Sequence, residues 1–172
     1  MSTDQFVDVH DEVTIRRARP GDGEQLYSLW VALAHDGAAA DDRYQLRSDA
    51  EPAARQFITE RWLDPDGDRP VWVAEQGAHL VGFIAVRPGD GGAVLDTPPT
   101  LAISDLYVGP NARRAGVGRR LFAAAHQHAE SVAAISLEVG TLALDHRAVA
   151  FWRAMGFGDW RVTLQRPVDA SP

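Results

Sequence analysis

One stretch constrains this chain more than any other: Asp105-Leu-Tyr-Val-Gly-Pro-Asn-Ala-Arg-Arg-Ala-Gly-Val-Gly-Arg-Arg-Leu-Phe122. The apolar alternating run from Leu101 ends at Val108, Gly109-Pro110 opens a turn, and a helix begins at Gly116. A strand that feeds a glycine-led helix demands a layered arrangement of strands and helices. The first N–H groups of a helix have no intrahelical acceptor, and the helix dipole favours negative charge there. Gly116 and Gly118 carry no side chains to keep a phosphate from those N–H groups. Arg113, Arg114, Arg119 and Arg120 add positive charge at the same point. The stretch therefore reads as a pyrophosphate cradle.

Those arginines are a local exception in a chain of 172 residues with a formal net charge of −7. A small anionic ligand suits that pattern, and a broad nucleic-acid footprint does not. The length suits one domain with a real core. There is no cysteine, which excludes disulfides, thiolate zinc sites and a cysteine nucleophile. No apolar run approaches the ~20 residues that span a bilayer. Residues 1–11 are polar and acidic, lack the apolar core of a signal peptide, and read as a loose tail. A cytoplasmic protein is expected, with no membrane partner.

The remaining elements follow from periodicity and breakers. Val13–Ala18 alternates as a strand, and Pro20-Gly-Asp-Gly23 breaks it. Leu26, Leu29, Trp30 and Leu33 recur at helical spacing, with an end expected near His35-Asp-Gly37. Ala38–Arg47 reads as irregular. Ser48 or Asp49 caps a second helix that carries Ala54, Phe57, Ile58 and Trp62 on one face. Val71–Ala74 and Leu80–Val86 flank a turn at Gln76-Gly77-Ala78 and form a hairpin. Pro88–Pro99 is a loop, Leu101–Val108 a strand and Ala134–Val139 another. Asp145 caps a helix that Gly156 stops, and Arg161–Gln165 reads as a final strand. The order is βααβββαβαβ, an α/β (α+β) mixed sheet, with residues 12–172 as a single domain.

In that order the chain resembles the GNAT superfamily of N-acetyltransferases. The motifs are Val108-Gly-Pro110, Arg113-Arg-Ala-Gly116-Val-Gly118 and Arg119-Arg-Leu121. A second set follows in Leu137-Glu-Val139, Asp145-His-Arg-Ala148, Trp152 and Gly156-Phe157. The resemblance covers nearly the whole chain and implies a GNAT-like acyl-CoA N-acyltransferase fold with splayed fourth and fifth strands. It implies acetyl-CoA as cosubstrate, direct acetyl transfer to a primary amine of a small molecule or protein, and the homodimer common in the family. The pantetheine arm would pair with Leu106, Tyr107 and Val108, the Val108 N–H polarising the thioester carbonyl. The pyrophosphate would meet Arg113, Arg114, Ala115, Gly116, Val117, Gly118 and Arg119, with Asp145, Ala148 and Trp152 also at the cofactor.

Two residues depart from the family pattern. Asp145 stands for its usual asparagine, and Trp152 for the tyrosine that often protonates the leaving thiolate. Indole N–H is a donor without acid chemistry near neutral pH, so a tyrosine-acid mechanism at 152 is excluded. For the general base there are two candidates, Glu138 in the fifth strand and Asp105 in the fourth. Either needs its carboxyl pKa raised by partial burial. Tyr107 lies on the same strand face as Asp105 and offers a phenol, although packing against a helix is the commoner role. Tyr44 and His35 flank or occupy the segment that covers the acceptor site in the family, and are substrate-contact candidates. The histidines show no metal-ligand spacing, so no metal is expected.

Other phosphate sites fail on detail. Gly116-Val-Gly-Arg-Arg-Leu121 lacks the third small residue of a dinucleotide fingerprint, and no Gly-Lys-Ser/Thr is present for a Walker loop. The alternative from another class is a CoA-binding regulatory or interaction module without efficient catalysis, for which Trp152 is the argument.

Overall fold

The computed structural model describes residues 12–89, 99–164 and 166. The expected tail at 1–11 and most of the loop expected at 88–99 lie outside the described residues. Five strands form one sheet in chain order: β1 (Thr14–Arg17), β2 (Val71–Gln76), β3 (His79–Pro88), β4 (Thr100–Val108) and β5 (Ser136–Val139). Neighbours from β1 to β4 are antiparallel, whereas β5 joins β4 in parallel. Parallel neighbours need a crossover, which α3 (Val117–Ser131) supplies. The mixed α/β class is as expected. The chain divides into two compact units between Gly140 and Thr141, and the whole sheet lies in the first.

β3 explains why the sheet has two covered faces. Gly82 to Val86 are all buried, the continuous pattern of a central strand packed on both sides. Phe83 and Ala85 join Leu26, Ile58, Trp62, Val71, Val73 and Tyr107 in one core beneath α1 (Gly23–Ala40) and α2 (Ala50–Phe57). Ile84 and Val86 point the other way, as strand alternation requires. There α3 packs on the sheet with Val117, Leu121 and Ala125 buried along one stripe. Phe83 is fully buried, so truncating it to alanine would cost about 3–5 kcal/mol.

α1 begins where an ion-pair network fixes it. Arg16 on β1 donates to both carboxylate oxygens of Asp22, at 2.8 and 3.0 Å, and to both of Glu75 on β2, at 2.7 and 2.9 Å. Asp22 also accepts the Arg19 N–H at 2.7 Å. The Arg16 hydrogen bond is the main reason the Asp22 carboxyl is held below its usual range.

Several local expectations are corrected. α1 does not stop near His35–Gly37 but runs to Ala40. A glycine inside a helix costs only about 1 kcal/mol, and the following alanines offset it. The stop is Asp41, whose extended backbone donates to the Gly37 carbonyl while its carboxylate accepts the Arg43 N–H. After Phe57 the second helix widens into a π-helical turn, Ile58–Trp62, closed by Leu63 N–H to the Ile58 carbonyl at 3.0 Å. The final strand expected at 161–165 does not form over Arg161–Leu164, and Gln165 lies outside the described residues. An alternating run becomes a strand only where a neighbour completes its ladder. Here Trp160, Val162 and Leu164 are 82%, 74% and 90% exposed.

Candidate active site

β5 pairs with β4 only from Thr100–Ser136 to Ile103–Val139, whereas β4 continues to Val108. The two strands therefore part after Ile103, which is the expected splay. On its other side β4 stays paired with β3 through Val108–Gly82. Gly109 donates to the Val81 carbonyl at 2.8 Å. Because hydrogen-bonded pairs alternate along an antiparallel ladder, Tyr107 and Asp105 bond toward β3. The N–H and C=O groups of Leu106 and Val108 then point toward the side that β5 has left. The Val108 carbonyl bears this out, since it accepts the Arg113 Nε at 2.8 Å.

The turn after β4 is built as anticipated. Pro110–Ala112 makes a single 3-10 turn, Arg114 takes φ +68° and Gly116 takes φ +77° before α3 begins at Val117. A left-handed residue followed by a right-handed one turns successive N–H groups into one concavity, an anion-binding nest. The first intrahelical bond of α3 runs from Arg120 N–H to the Gly116 carbonyl at 3.1 Å. The N–H groups of Val117, Gly118 and Arg119 thus precede any intrahelical acceptor. Arg114, Ala115, Gly116 and Arg119 are exposed around them. Arg114 is not glycine, and its left-handed backbone costs about 1–2 kcal/mol, strain of a kind that gathers at functional sites.

Arg113 behaves differently from its neighbours. Its N–H bonds the Pro110 carbonyl at 3.3 Å, and its guanidinium bonds Val108 and pairs with Asp36 on α1 at 2.8 Å. The same guanidinium lies 5.5 Å from the centre of the Tyr107 ring. This residue ties the end of β4 to α1.

A pocket of about 540 Å³ opens on the α1/α2 face of the sheet. Its walls are Trp30, Phe57, Ile58, Trp62 and three alanines of α2, with Asp105 at the sheet and Arg47 and Asp49 also lining it. Burial pushes the Asp105 carboxyl above the usual carboxylate range, and a Ser104 hydrogen bond draws it partly back. Glu138 is half-buried on β5, directly beside Ala102. A bulge in the β3–β4 register decides its orientation: Ala85 faces Asp105 while Val86 faces Ile103, leaving Ser104 as the extra residue. Direct cross-strand partners share a face. Asp105 therefore lies on the Ala85 face, as does Ala102 opposite Arg87, and with it Glu138. Without the bulge, strand alternation would put the two carboxylates on opposite faces.

The other anticipated residues are placed as follows. Tyr107 is 7% exposed and packs in the core on the Asp105 face. His35 and Tyr44 are exposed, and neither lines the pocket. Trp30 and Trp62 belong to the core, as their apolar faces predict, and also wall the pocket. Their helical spacing marked a buried face but not which part of that face stays uncovered. In the second unit, α4 (His146–Ala154) is capped by Asp145, whose carboxylate accepts the Ala148 N–H at 2.9 Å. Trp152 is buried, with Phe151 and Phe157 edge-on at 4.9 and 5.3 Å between ring centres.

This architecture has known counterparts. A comparison with curated proteins finds none that matches. Among solved structures, a tetramutant of the BH1408 protein from Bacillus halodurans superposes with a TM-score of 0.78 at 18% identity, covering 90% of this chain and 99% of that one. The aminoglycoside N-acetyltransferase AAC(6')-Iy in complex with CoA gives 0.72 at 20% identity, covering 95% and 99%. The same protein with a bisubstrate analog, CoA-S-monomethyl-acetylneamine, gives 0.69 at 20% identity, covering 91% and 98%. The sequence model of the Acetyltransferase (GNAT) family matches residues 25–157, most of the chain and across both units. The chain belongs to the GNAT family of acetyltransferases.

Proposed function

We propose that the protein transfers the acetyl group of acetyl-CoA directly to a primary amine. The observation that carries this reading is the pairing of a β4 edge that β5 does not follow beyond Ile103 with a left-handed glycine cradle, beside a pocket that holds a carboxylate. The family match across Gly140 supports treating residues 12–172 as one functional domain. In this reading Leu106 and Val108 present backbone groups to the pantetheine arm, with Tyr107 packed between them. Arg114, Ala115, Gly116, Val117, Gly118 and Arg119 surround the pyrophosphate. Arg113 positions that loop from behind. An acetyl-CoA-dependent reaction belongs in the compartment that holds the cofactor, the cytoplasm.

The chemistry divides among few groups. An alkylammonium with a pKa near ~10.4 must lose a proton before it can attack, and an apolar pocket favours the neutral form. Asp105 accepts that proton, directly or through one water, and its raised pKa makes it a better base near neutrality. The amine nitrogen bonds the thioester carbon as the Val108 N–H stabilises the oxyanion. Collapse breaks the carbon–sulfur bond and releases the CoA thiolate. The proton left on the acylated nitrogen passes through water to the departing sulfur, whose thiol pKa is about 8.5, so Trp152 need not act as an acid. Glu138, on the same face, adds negative charge for an incoming ammonium.

The test is an acetyl-CoA turnover screen over amine classes, with Asp105→Asn and Glu138→Gln measured across pH. Asp105→Asn should lower kcat by about 10²–10⁴-fold, and Glu138→Gln far less. Equal activity in both variants and wild type rejects the base assignment. The tryptophan at 152 also supports a second reading, a CoA-binding module; acetyl-CoA binding with no turnover of any amine would favour it.

A further inference from the structure

We infer that the acceptor is a small monoamine on an apolar, ring-sized body, bound in the Trp30–Phe57–Trp62 pocket with its nitrogen at Asp105. This rests on the acetyltransferase reading above and narrows it to a substrate class.

The pocket separates sharply into one polar point and an apolar remainder. Arg47 and Asp49 pair with each other at 2.6 Å on side chains 81% and 66% exposed, so they form a neutral rim. Asp105 is then the one lining carboxylate without a cationic partner among the lining residues. The rest is aromatic and aliphatic. Trp62 is buried and stacks edge to face with Phe57 at 5.7 Å between ring centres. Ala50, Ala53 and Ala54 share one side of α2, at the spacing that makes residues neighbours on a helix. Their small side chains leave a ring-sized volume open that longer residues would fill.

Phe57 is the residue that this reading explains. A phenylalanine 42% exposed carries a cost in water unless something covers it. It ends α2 directly before the π-helical turn, which sends Ile58 and Trp62 into the core while Phe57 stays at the pocket. π-helical turns recur at functional sites because they re-aim side chains in this way. An apolar substrate body would cover the ring, and a single ammonium group would meet the single carboxylate. A polyamine fits poorly, because its additional ammonium groups would be stripped of water against tryptophan and phenylalanine, and Asp49, the other carboxylate of the lining, is already paired with Arg47.

The experiment measures initial rates with the full chain and saturating acetyl-CoA on phenethylamine, tryptamine, ethanolamine and the polycationic aminoglycoside kanamycin. The two aromatic amines should exceed both others in kcat/KM by about tenfold or more, the scale of discrimination by an apolar pocket. Phe57→Ala should erase about tenfold of that preference through KM for the amine, leaving KM for acetyl-CoA unchanged. Phe57→Tyr should restore it. Faster turnover of ethanolamine or kanamycin, or an unaltered preference in Phe57→Ala, overturns this inference while leaving the acetyltransferase standing. Absence of turnover with every amine defeats both.

Discussion

Replacing Gly82 with alanine should damage stability and cofactor binding together. A Cβ at this position would lie 2.7 Å from the Tyr107 carbonyl oxygen and 3.3 Å from the Val108 Cα. Both are backbone atoms of β4, so no change of rotamer relieves the overlap, and β3 and β4 must move apart. Inserting a carbon into such a contact costs about 1–3 kcal/mol. At about 2–4 °C per kcal/mol for a chain of this length, Tm should fall by roughly 2–12 °C. The displacement would fall on Val108, the cross-strand partner of Gly82 and the strand edge assigned to the thioester. The Kd for acetyl-CoA should therefore rise as well. Gly37→Ala is the matched control, since its Cβ would meet nothing within 4 Å in α1. That change should add about 0.5–1 kcal/mol of stability with no effect on binding. Scanning fluorimetry gives the Tm values and calorimetric titration the Kd. An unchanged Tm in Gly82→Ala would refute the close approach. A lower Tm with unchanged affinity would refute the role given to the Val108 edge.

Other perturbations test separate parts. Arg16→Leu leaves Asp22, 7% exposed, without its guanidinium; stability should drop by about 3 kcal/mol, the scale for breaking one side of a buried pair. Asp22 has a depressed pKa, so its contribution is present above the unfolded carboxylate range and lost as pH falls through the folded value; the Tm gap between Arg16→Leu and wild type should narrow on acidification. Asp145→Ala removes the carboxylate that caps α4 and should cost about 1 kcal/mol, read by denaturant titration. Asp105 works in the opposite direction. Its folded pKa is raised, so stability declines as pH climbs from the usual carboxylate range through the folded value. Asp105→Asn should lack that decline and melt above wild type at pH 8, while losing activity.

The opening stretch was legible because its chemistry is written in backbone permission. Gly116, singled out for its missing side chain, also takes a left-handed φ before the helix, and Gly77 takes one in the expected hairpin turn. The Asp145 cap was legible for a similar reason, since a short acceptor before an apolar helical run has few other roles. What the sequence left open was decided by partners far along the chain. The bulge at Ser104 exists only in register with Ala85 and Val86, yet it sets Glu138 on the face of Asp105. The same holds for Trp30, Phe57 and Trp62, whose helical spacing marked an apolar face without showing where the cover ends. Arg161–Leu164 has the alternation of a strand but no ladder among the described residues, because pairing is not a local property. Arg113 matches the phosphate motif by type and position, whereas its bonds to Val108 and Asp36 join residues whose proximity spacing alone does not show.

In the proposed reaction acetyl-CoA lies along the edge of β4 beyond Ile103 with its pyrophosphate on the start of α3. The most direct measurement is a titration of the amide-labelled protein with acetyl-CoA, followed by amide chemical shifts. Gly116, Val117, Gly118 and Arg119 should shift most and saturate together, accompanied by Leu106 and Val108. Saturation at other amides with these six unmoved, or no saturable shift at all, would contradict it.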